Sequence, residues 1–351
     1  MSKFAPEAAR WLRPEPRCTI PISTVQQIVR IVLPHRSVVG IERFRDGFRN
    51  ANFKVQLDSA PDMVVLRLYE HDPSLCQKEL DIFHLVRDSV PVPCILYAEP
   101  AGTADLPPFM LLEYVQGIGF RELKRNGGRE AVAQAAYSAG QTLAAIGRIT
   151  FAKSGWLAPA GSPERAGVAR AGVEGPTVTN ALTEGPDPLP RFVDQCLASG
   201  NLQRRLDADL RESIHRLFWQ RAEQLARLDN EACLVHCDFG KRNLLMREVA
   251  GKWSVAAVLD WEFAVAGSPL IDVGHFLRYE RNAQPLLEPH FSTGFQQAGG
   301  KLPGDWRRLS RIIDLSALCE SLTHDDLPQP VEAELIELAR ATVENRDHQV
   351  P

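Results

Sequence analysis

The chain has 351 residues, of which 44% are hydrophobic and 24% charged, and its formal net charge at pH 7 is −4. This length allows about two lobes with full cores, and the ordinary composition excludes a fibrous or disordered protein. Because the balance is slightly acidic, there is no basic footprint for nucleic acid or anionic lipid, and neither is expected as a partner.

Location and thiol chemistry can be predicted from what the sequence lacks. Residues 1–16 contain no apolar stretch of the signal-peptide kind, and no run approaches the ~20 apolar residues that span a bilayer. We therefore expect a cytoplasmic protein without a membrane contact. The seven cysteines are odd in number and include no Cys-x-x-Cys pair, which argues against a disulfide framework or a zinc site.

The first predicted elements form a β-hairpin. Alternating apolar residues over 53–57 predict one strand, Pro61-Asp62 predicts a turn, and the apolar run 63–68 predicts a second strand. Two such strands joined by a short turn favour antiparallel pairing.

An amphipathic helix follows the hairpin, and its apolar face also carries Glu79. The apolar members of this face are Leu75, Ile82, Phe83 and Val86. A carboxylate on an inward face is costly unless it is paired. The sequence therefore predicts a cationic partner close to Glu79.

Farther along the chain the predicted structure changes from strands to helices. Residues 109–113 predict a short apolar strand, and residues 114–117 a connector between lobes. Residues 131–149 are rich in alanine and predict a helix, whereas leucines spaced over 206–228 predict one long amphipathic helix. Between these helices, residues 158–190 are rich in Gly, Pro and Ala, which predicts a mobile insertion, either a lid or a solvated linker.

Two apolar runs, residues 233–235 and 255–259, predict buried strands that bracket a loop. In this loop Asp238 precedes Asn243 by five residues, and Asp260 follows at the end of the second run. Phosphoryl transfer needs a carboxylate that orients the attacking hydroxyl, together with oxygen ligands for Mg²⁺. Asp238 is therefore the predicted base, and Asn243 and Asp260 are the predicted Mg²⁺ ligands.

The order of these motifs resembles a known enzyme group. His236-x-Asp238-x4-Asn243, followed by residues 260–262 (Asp-Trp-Glu) and 267–272, is similar to the aminoglycoside phosphotransferase and choline kinase group. Each piece alone is more often structural than catalytic, so the ordered combination carries the resemblance. It implies a protein-kinase-like α+β fold, with a small N-terminal lobe of antiparallel sheet plus one key helix and a larger, mainly helical C-terminal lobe.

The resemblance also implies domain bounds. Residues 1–113 would form the nucleotide-binding lobe, residues 114–117 the hinge, and residues 118–351 the helical lobe with the acceptor site. Within the helical lobe, residues 236–243 would be the catalytic loop and residues 260–262 the metal-binding strand end.

A set of nucleotide-binding residues follows from the same resemblance. They are Gly47, Asn50, Asn52, Arg67, Glu79, Glu113 and Val115. The first three would belong to a phosphate-covering hairpin, and the last two would hold the adenine edge through their backbone. Arg67, which replaces the lysine of many members, would grip the phosphates and pair with Glu79. The implied cofactors are ATP or GTP and Mg²⁺.

Four further residues near the motifs are interpreted as support. We expect His236 to brace the loop rather than act as a base, and Asp272 to tie the loop to the following helix. Glu262 is expected to support the site, with a solvated surface residue as the alternative. Cys237 stands where the group usually has glycine, and its thiol is expected to pack against neighbours.

The implied activity is transfer of the γ-phosphoryl group to a hydroxyl of an aminoglycoside-like antibiotic or a related sugar or amino-alcohol metabolite. Glu320, Asp325 and Asp326 form an acidic cluster that suits a polycationic acceptor and equally suits a solvated helix end. Two alternatives stay open: a catalytically idle nucleotide-binding module on the same fold, and transfer of a nucleotidyl group. The sequence does not decide the acceptor, the choice between ATP and GTP, or whether the protein is a monomer or a homodimer.

Overall fold

The computed structural model describes residues 20–44, 50–160, 175–179, 187–228, 230–280 and 283–344. These residues form an α+β fold in two lobes, a sheet-based N-terminal part and a larger helical part, as predicted. Within the described ranges, no helix is both long enough and apolar enough to cross a membrane.

A five-stranded antiparallel sheet in the order β1-β2-β3-β5-β4 forms the N-terminal part. Its strands are β1 (Val38–Arg43), β2 (Ala51–Leu57), β3 (Met63–Leu68), β4 (Ile95–Glu99) and β5 (Phe109–Glu113). The predicted hairpin is the β2–β3 pair, in which Asn52 lies directly opposite Arg67. Because side chains alternate along a strand, these two residues share one face of the sheet.

Two helices cover the two faces of this sheet. Helix α1 (Ile22–Val32) packs against the face that carries Phe53. Helix α2 (Ser74–Val86) contributes Cys76 to a cluster on the other face, where the register also places Arg67. The sheet therefore presents Arg67 on the same side as α2.

The chain passes from the first sheet to a second one over a short segment. Residues 114–117 join the end of β5 to β6 (Ile118–Gly119), which pairs with β10 (Leu244–Val249) and so with β11 (Lys252–Val258). The exact bounds of lobes and hinge stay a prediction.

A small sheet in the order β8-β7-β12-β9 flanks the loop that carries Asp238. Its strands are β7 (Gly155–Ala158), β8 (Thr177–Val178), β9 (Cys233–Val235) and β12 (Val265–Gly267). Strand β8 lies inside the predicted insertion 158–190 and pairs with β7, so those residues are ordered against a strand rather than in a loop. Residues 161–174 and 180–186 of the insertion lie outside the described residues.

The C-terminal part consists mainly of helices. They are α3 (Phe120–Asn126), α4 (Arg129–Gly147), α5 (Pro188–Ala198), α6 (Gly200–Arg205), α7 (Ala208–Gln220), α8 (Ala222–Leu228), α9 (Leu270–Leu277), α10 (Glu288–Gln297), α11 (Trp306–Ser321) and α12 (Gln329–Val343). Helices α4 and α10 approach closely because Gly140 and Gly294 lie at their crossing, where a Cβ would overlap the backbone of the opposite helix.

The single long helix predicted over residues 206–228 is wrong. The Asp207 side chain accepts a hydrogen bond from Leu210 N at 2.8 Å and so begins the separate helix α7. That helix ends at Arg221, whose backbone leaves the helical region, and α8 continues from residue 222. Leucine periodicity persists across the break because all of these helices face one core.

Candidate active site

The loop between β9 and β10 is anchored by Asp272 of helix α9. Its carboxylate accepts hydrogen bonds from His236 N at 2.7 Å and from Cys237 N at 2.9 Å. The side chain is fully buried, and burial raises the pKa of Asp272 to about 7 against the opposing effect of these N–H donors. The expectation that Asp272 ties the loop to the following helix is confirmed.

His236 stabilises the same loop through hydrogen bonds of its two ring nitrogens. Its Nε2–H donates to the carbonyl of Leu259 at 2.8 Å, and its Nδ1 accepts the backbone N–H of Asp238 at 3.2 Å. These partners require the neutral ring, and burial lowers the pKa of His236. Both nitrogens are therefore committed to the backbone, as the bracing role predicts.

Cys237 adopts a backbone conformation that favours glycine, with φ of 63°. This explains why glycine suits this position and why a small side chain is needed here. Burial raises the pKa of the Cys237 thiol well above its ordinary value, so the thiol is not activated as a nucleophile.

Asp238 projects from this loop with both carboxylate oxygens engaged. Asn243 Nδ2 donates to Oδ2 at 2.8 Å, and His275 Nε2 lies 3.0 Å from Oδ1. Burial raises the pKa of Asp238, but the hydrogen bonds from His275 and Asn243 outweigh it, so the pKa lies below its ordinary value. Because 40% of the side chain is exposed, an ionised carboxylate is available to a substrate.

Asn243 and the strand end at Asp260 are brought together by strand pairing. Leu244 pairs with Val258, and Leu259 N donates to Asn243 O at 2.9 Å. The amide nitrogen of Asn243 is committed to Asp238, which leaves its side-chain oxygen to act as a ligand. Asp260 has φ of 61°, a strained conformation of the kind found at functional sites.

Arg67 supplies the cationic partner predicted for Glu79. Arg67 Nε lies 3.0 Å from Glu79 Oε2, and both side chains are buried. The same guanidinium contacts the Asp260 carboxylate, and its Nη2 lies 3.5 Å from Glu262 Oε2. One arginine thus joins a sheet, a helix and the strand end that carries the predicted metal ligand.

The Glu79 carboxylate makes two further contacts. Its Oε1 accepts the backbone N–H of Trp261 at 2.8 Å, and its Oε2 accepts a hydrogen bond from the Tyr69 hydroxyl. Burial raises the pKa of Tyr69 well above its ordinary value, which keeps the hydroxyl protonated and able to donate. Every contact of Glu79 therefore suits an ionised carboxylate.

Glu262 is buried, so the alternative of a solvated surface residue is wrong. Its carboxylate accepts a hydrogen bond from Asn50 Nδ2, which fastens the end of the predicted phosphate-covering hairpin to the strand end. Lys78 Nζ donates to the Glu262 carbonyl at 2.9 Å, and burial lowers the pKa of Lys78.

Two of the remaining predicted nucleotide-binding residues, Asn52 and Glu113, lie on strands of the N-terminal sheet. Asn52 is half-buried beside Arg67, and Glu113 ends β5 with an exposed side chain and a backbone N–H bonded to Cys94 O at 2.9 Å. Val115 lies in the connector that follows. Gly47 lies outside the described residues.

The charges around Arg67 suit a divalent cation. Three carboxylates, those of Glu79, Asp260 and Glu262, outnumber the two nearby cations, Arg67 and Lys78, which leaves an excess of negative charge. Among the described residues, no group of three His, Cys, Asp or Glu side chains could hold a metal by itself. Mg²⁺ commonly takes one or two protein ligands and completes its shell with phosphate and water, so the pair Asn243 and Asp260 fits this ion.

Sequence reasoning missed His275 and its support. His275 lies one helical turn after Asp272 on α9, so both face the catalytic loop, and this i, i+3 spacing was the available signal. Arg278 Nη2 lies 3.3 Å from His275 Nδ1. Arg278 also pairs with Asp314 at two points, with Nε 2.8 Å from Oδ2 and Nη2 2.7 Å from Oδ1. Tyr69 and Lys78 were also missed, because no local pattern marks their long-range partners.

The acidic cluster predicted near the C-terminus lies at the end of α11. Asp325 is exposed and accepts a hydrogen bond from Asn201 at 2.8 Å, and Asp326 is exposed as well. Glu320 lies 3.8 Å from the His324 ring, with about half of its side chain exposed. These contacts are those of a solvated helix end.

Comparison with known proteins identifies the family of this chain. A model of the phosphotransferase enzyme family matches residues 40–312, which is most of the chain. The chain belongs to the phosphotransferase enzyme family. Among curated protein sequences, none matches this chain at a significant level.

Solved phosphotransferase structures share the fold of this family member. A ternary complex of a thermostable mutant of aminoglycoside phosphotransferase APH(4)-Ia with AMP-PNP and hygromycin B superposes with a TM-score of 0.62 at 18% identity, covering 93% of this chain and 100% of that one. A GDP and kanamycin complex of APH(2")-IIIa gives 0.63 at 18% identity, with 92% and 99% covered. A GDP complex of an aminoglycoside 2'-phosphotransferase-IIIa mutant gives 0.64 at 17% identity, with 93% and 98% covered.

Proposed function

We propose that this phosphotransferase moves the γ-phosphoryl group of ATP or GTP to a hydroxyl of a small molecule, with an aminoglycoside-like antibiotic or a related sugar or amino-alcohol as acceptor. The observation that carries the proposal is the Asp238 carboxylate. It is ionised, partly exposed and held at both oxygens, beside a strand end rich in carboxylates. Such a site suits phosphoryl transfer, in which positioning and electrostatics supply most of the catalysis.

In this mechanism Asp238 orients the acceptor hydroxyl and takes its proton as the new bond to the γ-phosphorus forms. The bond from that phosphorus to the β-phosphate oxygen breaks, and the nucleoside diphosphate leaves. Each oxygen of the carboxylate accepts one hydrogen bond from the protein, so lone pairs remain for the acceptor. The low pKa of Asp238 keeps it ionised near neutral pH, ready to accept a proton late in the reaction.

Arg67 would hold the phosphates of the nucleotide from the sheet side of the cleft. Its planar guanidinium offers several donors, and Glu79 and Glu262 fix its direction. Asn243 and Asp260 would hold Mg²⁺, which neutralises phosphate charge when bound. Glu113 and Val115 would contact the base through their backbone atoms, as the family resemblance implies.

The solved structures with the same fold support a small polyhydroxylated acceptor. Hygromycin B and kanamycin are bound in two of them. Identity is 18% in both cases, so these structures support the chemical class of the acceptor, a hydroxyl on a small molecule, rather than a particular compound.

The test compares wild type with Asp238→Ala on a panel of aminoglycosides, sugars and amino-alcohols, with Mg²⁺ and either ATP or GTP. We expect a phosphate-sized mass gain on one acceptor for wild type. The variant should lose at least ~100-fold in turnover while nucleotide affinity changes little, since Asp238 touches the acceptor rather than the nucleotide. Retained turnover in the variant would overturn the assignment of the base.

The alternatives give different results in the same assay. A catalytically idle module would show nucleotide-induced thermal stabilisation without turnover on any acceptor. A nucleotidyl transferase would give a product heavier by a nucleoside monophosphate. Asp105→Asn, a change at an exposed turn residue, is the matched control for removing a carboxylate.

A further inference from the structure

Beside Asp238 lies a row of hydrogen-bonded side chains that the proposed mechanism leaves without a role. His275 Nε2 is 3.0 Å from Asp238 Oδ1, and His275 Nδ1 is 3.3 Å from Arg278 Nη2. Arg278 in turn holds Asp314 of helix α11 through both guanidinium donors. The row therefore runs from the reacting carboxylate into the core of the helical lobe.

The direction of each hydrogen bond in this row is determined by chemistry. A guanidinium only donates, so Arg278 must donate to Nδ1 of His275. A ring whose Nδ1 accepts must carry its proton on Nε2, and that N–H points at Asp238. His275 is therefore a neutral imidazole that donates to the carboxylate.

The row is rigid at the end away from the substrate. The Arg278 and Asp314 side chains are 13% and 7% exposed, and their contact is bidentate. Bidentate arginine–carboxylate pairs fix geometry as well as charge. The His275 side chain, at 19% exposure, is thus held between a fixed donor and the reacting group.

Room for this imidazole is provided by the loop itself. A Cβ on Gly240 would lie 3.3 Å from both Cδ2 and Nε2 of His275, tighter than ordinary van der Waals contact. The absence of a side chain at this position leaves room for the ring beside Asp238. The two oxygens of Asp238 are consequently held by donors from two different elements.

We propose that His275 is a positioning residue for this reaction: as an Nε2–H donor fixed by Arg278 and Asp314, it sets the rotation of the Asp238 carboxylate toward the acceptor hydroxyl. The inference rests on the proposed function of Asp238. Because its two nitrogens are both engaged, His275 orients the base and does not itself accept the proton of the acceptor. A misplacement of about 1 Å in such a group can cost on the order of 100-fold in rate.

The kinetic test compares His275→Leu with His275→Gln, using MgATP hydrolysis with water as the acceptor. Glutamine keeps an N–H donor of similar reach, whereas leucine keeps only bulk. We expect the leucine variant to lose about 100-fold in kcat with KM for ATP within about threefold, and the glutamine variant to recover to within about tenfold of wild type. His290→Leu, a change at an exposed histidine of α10, should leave kcat unchanged.

A second measurement does not depend on turnover. Two-bond ¹H–¹⁵N spectra of the histidine-labelled chain report the tautomer of each ring, and loss of one signal in His275→Gln assigns it. An Nε2–H tautomer in wild type supports the inference, and an Nδ1–H tautomer overturns it. Equal kcat in wild type and His275→Leu also overturns it. If wild type hydrolyses no ATP, the proposed function fails in this assay and the tautomer alone decides the role of His275.

Discussion

The Glu79 carboxylate accepts the backbone N–H of Trp261 at 2.8 Å, so helix α2 is bonded directly to the residue that follows Asp260. Its other oxygen lies 3.0 Å from Arg67 Nε. A movement of α2 would therefore shift both the proposed phosphate-gripping cation and the proposed metal ligand. We therefore expect the proposed nucleotide site to assemble only when helix α2 is in this position relative to the larger lobe.

Glu79→Gln should weaken nucleotide binding by about tenfold. Glutamine can still accept from Trp261 N, but it removes the negative charge that anchors Arg67, which then relies more on Asp260. Calorimetric titration with ATP at several Mg²⁺ concentrations measures the effect, which should grow as Mg²⁺ falls. Glu130→Gln, at an exposed position of α4, is the control, and equal affinities for both variants would contradict the role of Glu79.

Gly240→Ala should lower kcat by about tenfold without unfolding the protein. The backbone of Gly240 is outside the left-handed region, so alanine is tolerated conformationally, but its Cβ would press on the His275 ring. Steady-state kinetics and the thermal midpoint measure the two effects separately. Gly128→Ala, where a Cβ meets nothing within 4 Å, is the matched control, and an unchanged kcat in Gly240→Ala would show that the ring has room to yield.

Asp314→Ala should lower the free energy of unfolding by about 3–5 kcal/mol. The change leaves the buried Arg278 guanidinium without its counter-charge, which is costlier than losing the pair as a whole. Urea unfolding measures the loss. The double variant Arg278→Met with Asp314→Leu should recover most of it, and Glu212→Ala, in an exposed ion pair with Arg216, should cost less than about 1 kcal/mol. A small decrease in the free energy of unfolding of Asp314→Ala would contradict the prediction and show that water hydrates the Arg278 guanidinium in the variant.

Asp272 should make the free energy of unfolding fall as pH rises from about 4 to about 7. Burial raises the pKa of Asp272 in the native state to about 7 from its ordinary value of 3.8, so the native state holds one more proton over this range. By linkage, the stabilisation from this group is complete below the unfolded pKa, falls by about 1.4 kcal/mol per pH unit, and is lost above the native pKa.

The measurement for Asp272 is the difference in unfolding free energy between wild type and Asp272→Asn across pH 4 to 8. The variant lacks the titrating group, so the difference should change over the range and become constant above pH 7. A difference that is independent of pH would show that the native pKa of Asp272 is not raised.

Local pattern was enough to predict much of the fold and the main motifs. The spacing of apolar residues along the chain indicates which residues an element buries, and so whether it is a helix or a strand. This spacing predicted the hairpin strands, the helix that carries Glu79 and the strand over 109–113. A buried carboxylate also predicts a cationic counter-ion, and the family resemblance identified this partner of Glu79 as Arg67. The break between α7 and α8 could not be predicted, because the leucine spacing continues across it.

The sequence by itself determined the family, the ordered set Asp238, Asn243 and Asp260, and the need for a cation beside Glu79. Only the tertiary structure decided what surrounds that set: His275 against Asp238, supported by Arg278 and Asp314 from a helix far along the chain. The physical reason is that a motif fixes neighbours separated by a few bonds or one helical turn. Contacts between distant segments depend on how sheets and helices pack, and no short pattern records that.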